Sequence, residues 1–185
     1  MSATPRLRPS AFGAPDFAEP IEAWRVWRVV SVDGGHQLGS VIKQALWPPG
    51  EPLVARCLRS RTLPGWLRRR PRPAHEAPDP ACECGVYAAE LDRVGQYVLE
   101  ALTVRPVACV IGRVSLWGTV IECERGFRAS HAYPLRIYVP ADAGGRHDGG
   151  QERVARDLAR YGVPVELLPT PSEDATRVLA QQRAA

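Results

Sequence analysis

The hydrophobic and polar positions of the chain first show a strand pattern near residue 21, where order is expected to begin. Residues 23–32 are dense in aromatic and β-branched side chains, with Trp24 and Val26 on one face and Trp27 on the other. This pattern predicts a β-strand. The run Asp33-Gly34-Gly35 is a strong turn signal. We therefore expect a hairpin with a second extended segment over residues 38–46.

A helical period follows in the middle of the chain. Apolar residues recur at steps of three and four over residues 86–102, with charged residues between them. This spacing predicts an amphipathic helix that begins at the zinc knuckle, directly after Gly85. Its apolar stripe consists of Tyr87, Leu91, Val94, Val98 and Ala101.

Residues 107–124 are the most strand-like stretch of the sequence. Gly112 and Gly118 interrupt it and are expected at bulges or at points of close backbone approach. Further strands are predicted over residues 127–133 and 135–139, on either side of Pro134. A β-meander is the simplest arrangement of these strands.

The last predicted elements are a helix over residues 151–161, stopped by Gly162, and a short strand over 163–168. The fold class is therefore α+β: a single domain with a mostly antiparallel sheet, one long helix after a zinc knuckle and a short C-terminal helix. The predicted domain covers residues 21–168, between a flexible N-terminal tail (1–20) and a C-terminal tail (169–185). Residues 59–80 are rich in proline and arginine and are predicted to form a long loop.

Composition and charge give little evidence about the function. The net charge is +4, but Lys43 is the only lysine, and such a bias toward arginine is typical of a GC-rich bacterial genome. The basic charge is therefore weak evidence for a nucleic-acid partner. We expect a cytoplasmic protein without a membrane interaction, because no segment has the pattern of a signal peptide or of a spanning helix.

The cysteines carry the main chemical signal. There are five of them, and in a reducing compartment they are better explained as metal ligands or buried small side chains than as disulfides. Cys57, His75, Cys82 and Cys84 bracket the Pro/Arg-rich loop, and a structural Zn²⁺ bound by them would pin both of its ends. Two alternatives stay open: isolated thiols with a surface histidine, or a catalytic zinc with Glu76 or Glu83 as a base. Cys109 and Cys123 are interpreted as packing residues.

Several short motifs resemble a pattern of small uncharacterised bacterial proteins. They are the knuckle CECGVYA (82–88), the strand GRVSLWG (112–118), the segment RGFRA (125–129) and the AYP run (132–134). The resemblance covers residues 24–140. It implies a defined domain and carries over no activity.

The functional prediction is a noncatalytic, zinc-stabilised protein-interaction or regulatory module whose partner is another protein. The alternative is a nucleic-acid-binding protein that uses the 68–72 loop, since clustered arginines beside an aromatic side chain can bind phosphates and stack a base. An enzyme of unknown reaction is a further alternative, although the sequence has no phosphate loop, dinucleotide fingerprint or nucleophile elbow. The candidate partner-binding residues are Trp66, Arg68, Arg69, Arg70, Arg72, Arg125, Phe127 and Arg128.

Overall fold

The computed structural model describes residues 19–42, 45–57, 75–104, 108–144 and 150–184, which form a mixed α and β structure. Its sheet is seven-stranded and mostly antiparallel. The strands are β1 (Ile21–Val32), β2 (Gly35–Ser40), β3 (Leu53–Val54), β4 (Val86–Ala88), β5 (Cys109–Cys123), β6 (Gly126–Val139) and β7 (Val165–Leu167). The helices are α1 (Leu91–Val104), α2 (Gly150–Leu158) and α3 (Ser172–Ala184).

The predicted hairpin is present. β1 and β2 pair antiparallel around Asp33 and Gly34, both of which have positive φ, as a tight two-residue hairpin turn requires. β1 is buried on both faces: Ala23 and Trp27 belong to one apolar cluster, and Trp24 and Val26 belong to another. This double burial explains why apolar residues occupy both odd and even positions of the strand.

β5 and β6 form the long central hairpin of the sheet, and the two glycines of β5 have the predicted roles. A Cβ atom at Gly112 would lie 2.1 Å from the carbonyl oxygen of Arg136, so only glycine allows this close approach. Gly118 has φ +74° beside an irregularity in the β5–β6 pairing. The Pro134 break does not end a strand, because β6 continues through it.

One edge of β6 is shared by three short strands. Pairing runs from β4 at residues 127–129, through β3 at residues 131–132, to the parallel strand β7 at residues 137–139. Ala89, just after β4, forms a bridge with Trp24 of β1. The sheet therefore curls back on itself through β1, β5, β6 and β4. The predicted meander is only partly right, because the two strands predicted on either side of Pro134 form the single strand β6, and β5 also pairs with β1.

The long helix does not begin at the knuckle. Residues 86–88 form β4, and α1 begins only at Leu91. The carbonyl oxygen of Glu90, just before the helix, accepts hydrogen bonds from the backbone N–H groups of Arg93 and Val94. Pairing with β6 outweighs helix propensity here, because Val86 and Ala88 bury their side chains from an extended strand. The predicted stripe is correct for Leu91, Val94, Val98 and Ala101, which are buried.

The C-terminal part contains one helix more than the sequence analysis predicts. α2 is followed by a 3-10 turn that ends at Gly162 in the left-handed conformation, and β7 follows, as expected. Residues 172–184, however, form α3 instead of continuing as a tail. Ala175 and Leu179 of α3 are buried in the cluster that includes α1. Within the described ranges, no helix is long and apolar enough to cross a membrane.

Candidate metal centre

The structure brings the four predicted ligand residues together. The side-chain donor atoms of Cys57, His75, Cys82 and Cys84 all lie within 4.8 Å of one another. Residues 58–74 separate Cys57 from His75 in sequence and lie outside the described ranges. Three sulfur atoms and one imidazole nitrogen in this arrangement could hold a metal ion.

The position of the cluster follows from strand pairing along one edge of β6. Cys57 lies just beyond β3, whose ladder is extended by a hydrogen bond from the backbone N–H of Ala55 to the carbonyl oxygen of Ser130 (2.7 Å). Cys82 and Cys84 directly precede β4, which pairs with the adjoining stretch of β6. Pairing with β6 therefore places Cys57, before the long loop, close to Cys82 and Cys84, after it.

The donor atoms form two close pairs. The Sγ atoms of Cys57 and Cys82 are 3.8 Å apart, and the Sγ atom of Cys84 is 3.4 Å from Nε2 of His75. The sulfur–sulfur separation is far longer than the roughly 2.05 Å of a disulfide. All three cysteines are free thiols, with Cys82 and Cys84 buried and Cys57 partly exposed.

A tight turn sets the direction of the two knuckle thiols. The carboxylate of Asp79 accepts a hydrogen bond from the backbone N–H of Ala81 (2.8 Å), and its carbonyl oxygen accepts one from Cys82 (3.0 Å). Gly85 has φ +131°, and a Cβ atom there would lie 3.1 Å from Cβ of Arg128 and 3.2 Å from Cβ of Pro78. The glycine is required because the knuckle lies directly against β6.

The knuckle thiols differ in acidity. Burial raises the pKa of Cys82, but the backbone N–H of Cys84 and the side chains of Cys57, Cys84 and His75 together lower it to about 7. Burial raises the pKa of Cys84 to about 11, and the neighbouring Cys82 thiolate adds to the rise. Negative charge is thus concentrated on one sulfur, and it opposes a second thiolate in the cluster.

Two side chains from β4 and β6 bind the backbone of the knuckle. Arg128 donates to the carbonyl oxygens of Cys82 and Cys84, the latter at 3.1 Å, and Tyr87 Oη donates to that of Glu83 at 2.7 Å. The Nε atom of Arg128 also donates to Sγ of Cys123 at 3.2 Å. Cys123 is partly exposed and in polar contact with Arg128, and Cys109 is fully buried.

The predicted partner-binding residues do not form one surface in the described ranges. Arg125 is exposed in the turn between β5 and β6, and Phe127 is partly buried against the core. Arg128 is only 8% exposed, and its guanidinium is engaged with the knuckle. The remaining candidates, which are Trp66, Arg68, Arg69, Arg70 and Arg72, lie outside the described residues.

Sequence reasoning missed the roles of Tyr87 and Arg128 at this centre. Arg128 is more than forty positions from the carbonyls that it binds, so local spacing holds no signal for the contact. The cross-strand pairing of Tyr87 with Arg128 could have been found only from the register of β4 on β6. Glu76 and Glu83, considered as bases, are exposed beside the cluster.

Comparisons with protein-family models, with curated proteins and with solved structures give no match to this chain. A functional proposal therefore depends on the geometry of the chain itself.

Proposed function

We propose that Cys57, His75, Cys82 and Cys84 bind one structural Zn²⁺, and that the protein is a noncatalytic interaction module organised around this ion. The observation that carries the proposal is the convergence of the four donor atoms. Three cysteines and one histidine are a donor set typical of structural zinc sites. Four protein ligands leave no coordination position for a substrate, which favours a structural over a catalytic ion.

The spacing of the donor atoms supports zinc. Zn–S and Zn–N bonds of about 2.3 and about 2.0 Å in a tetrahedron place two sulfurs about 3.8 Å apart and a sulfur and a nitrogen about 3.5 Å apart. The observed separations are 3.8 Å for Cys57 and Cys82 and 3.4 Å for Cys84 and His75. Both pairs therefore fit the edges of a zinc tetrahedron.

The choice of a protein partner is supported by exposed apolar side chains close to the ligands in sequence. Val54 of β3 is 49% exposed and Tyr87 of β4 is 44% exposed, although both strands belong to the central sheet. Each of these residues lies three positions from a ligand cysteine. Zinc would fix these segments and thereby present their exposed side chains to a partner.

Metal content is the first test. We expect purified wild-type protein to contain about one zinc per chain by elemental analysis, and Cys84→Ser to lose most of it. Cys109→Ala is the matched control, because it removes a fully buried cysteine outside the cluster and should leave the zinc content unchanged. Less than about half an equivalent in the wild type would overturn the proposal.

The partner class needs a second measurement. We expect immobilised protein to capture a partner protein from the native host after nuclease treatment, and Val54→Asp to weaken that capture while zinc content is kept. Salt-dependent binding to generic DNA or RNA, in place of protein capture, would instead favour the nucleic-acid alternative.

A further inference from the structure

The carbonyl groups of the knuckle are bound by a single pair of side chains. Arg128 donates to Cys82 and Cys84, and Tyr87 donates to the residue between them, Glu83. Tyr87 and Arg128 are direct partners in the β4–β6 pairing. Three consecutive carbonyls are therefore held by one cross-strand pair, which fixes the orientation of the peptide units that carry the two thiols.

Arg128 is also a buried cation without a carboxylate partner among the described residues. Each described ion pair of the protein involves other side chains. The guanidinium of Arg128 donates instead to the carbonyl oxygens of Cys82, Cys84 and Asp79, the last at 3.5 Å, and to Sγ of Cys123. A buried guanidinium is costly unless its charge is compensated, so a compensating negative charge is expected close to it.

A Zn²⁺ ion bound by the four candidate ligands would supply that charge. Zn²⁺ with three thiolates and one neutral imidazole has one net negative charge, which matches the positive charge of Arg128. The φ of +131° and missing side chain of Gly85 leave room for Arg128 against the knuckle. The arginine thus fits the centre both in shape and in charge.

We propose that Arg128 is the positioning residue and counter-charge of the metal centre, with Tyr87 as its helper. The inference rests on the proposed zinc site and deepens it. Arg128 holds the carbonyls of both knuckle cysteines so that their sulfurs converge, and it balances the charge of the filled site. Residues that support metal ligands in this way typically change metal affinity by about 10- to 100-fold when they are removed.

The test measures Zn²⁺ affinity by competition with a chromophoric chelator, and the Co²⁺ absorption spectrum as a signature of the thiolate environment. We expect Arg128→Met to raise the Kd by about 10- to 100-fold and to shift the Co²⁺ bands. Arg128→Lys should recover part of the affinity, because it restores the charge but not the forked geometry. Tyr87→Phe, which loses one neutral hydrogen bond, should raise the Kd by up to about tenfold.

Arg136→Met is the matched control, since Arg136 is on the same strand and pairs with Glu166 instead of the knuckle. It should keep the wild-type Kd and Co²⁺ spectrum. If Arg128 has only a structural role, Arg128→Met lowers the stability of the chelator-treated protein but leaves the zinc Kd and the Co²⁺ spectrum unchanged. That result would overturn the inference about Arg128 without contradicting the proposed zinc site. If Arg128→Met does not fold, wild-type affinity and spectra in Arg128→Lys and Tyr87→Phe overturn it equally. A wild-type protein that binds neither metal overturns the proposed function itself, and this inference with it.

Discussion

The knuckle segment (residues 75–85) and the region around α2 are stabilised by different means. The knuckle segment has no large aliphatic or aromatic residue, and its contacts include the Cys/His cluster, the Asp79 turn and the hydrogen bonds from Tyr87 and Arg128. Around α2, Val154, Leu158 and Tyr161 are buried in the larger apolar cluster. The first region is held mainly by polar contacts around a cluster of candidate metal ligands, and the second by apolar burial.

Polar contacts also occur around α2, but they supplement the core there. Nδ1 of His36 is 2.7 Å from the Asp157 carboxylate, which ties β2 to α2. Tyr161 Oη accepts a hydrogen bond from the backbone N–H of Leu38 at 3.0 Å and donates to the carbonyl of Trp47 at 2.6 Å. Burial provides the driving force for packing in this region, and the hydrogen bonds set its geometry. In the knuckle segment, polar contacts dominate and apolar burial is minor. The two regions should therefore respond differently to the same treatments.

Metal removal should give the largest difference between the regions. Structural zinc contributes about 10 kcal/mol or more to the folding of small zinc peptides, and the knuckle segment has little apolar burial to replace it. We expect a strong chelator, or Cys84→Ser, to abolish hydrogen-exchange protection in residues 75–85 while α2 and β2 stay protected. Hydrogen exchange read by mass spectrometry measures both regions in one sample.

The control for this experiment is Cys109→Ala, which should keep the protection of the knuckle segment. Equal loss of protection in both regions after chelation would show that the metal, rather than the apolar core, stabilises the whole domain.

A cavity beneath α2 should produce the opposite pattern. Leu158 is fully buried, and its replacement by alanine should lower the free energy of unfolding by about 3 kcal/mol, because it removes methyl groups and leaves a void. Zinc content and metal affinity should stay at wild-type values. Denaturant unfolding and elemental analysis provide the two measurements.

Leu167→Ala is the matched control for Leu158→Ala, since this leucine is 47% exposed on β7 and its loss should cost less than about 0.5 kcal/mol. A loss of zinc in folded Leu158→Ala protein would contradict the proposed independence of the two regions.

The same contrast explains what could be predicted from the sequence. The clustering of Cys57, His75, Cys82 and Cys84 was predictable because cysteine and histidine are rare, chemically specific and placed at both ends of a segment with no apolar reason to be ordered. The β1–β2 turn and the glycines of β5 were predictable because backbone conformation restricts the residue type at those positions. These signals are local in the chain.

The elements that were missed depend on tertiary contacts. Residues 86–88 fit a helical stripe, and only the edge of β6 makes them a strand. α3 has few apolar residues, and its burial against α1 supplies what its sequence pattern lacks. The contact of Arg128 with the knuckle depends on the same strand register. Each missed feature required a partner that is distant in sequence.

The smallest expected effect concerns Tyr161 and its pH dependence. Burial raises the pKa of Tyr161 to about 12, although the hydrogen bond from Leu38 and the charge of Arg160 partly oppose the rise. The unfolded-state pKa is about 10. Because the raised pKa means that the fold favours the neutral phenol, this stabilisation is fully present below about pH 10 and is lost as the pH rises toward 12. Tyr161→Phe should cost about 1 to 2 kcal/mol at pH 8 through the two lost hydrogen bonds.

The difference in stability between wild type and Tyr161→Phe should then shrink between pH 10 and 12, since only the wild type has a phenol to ionise at this position. Urea unfolding of both proteins across this range measures the difference directly, and other titrating groups cancel because both proteins contain them. Tyr97→Phe on α1 serves as the comparison, as its side chain is only partly buried. A stability difference that stays constant up to pH 12 would show that the phenol of Tyr161 has the same pKa in the folded and the unfolded protein, which would contradict the raised pKa.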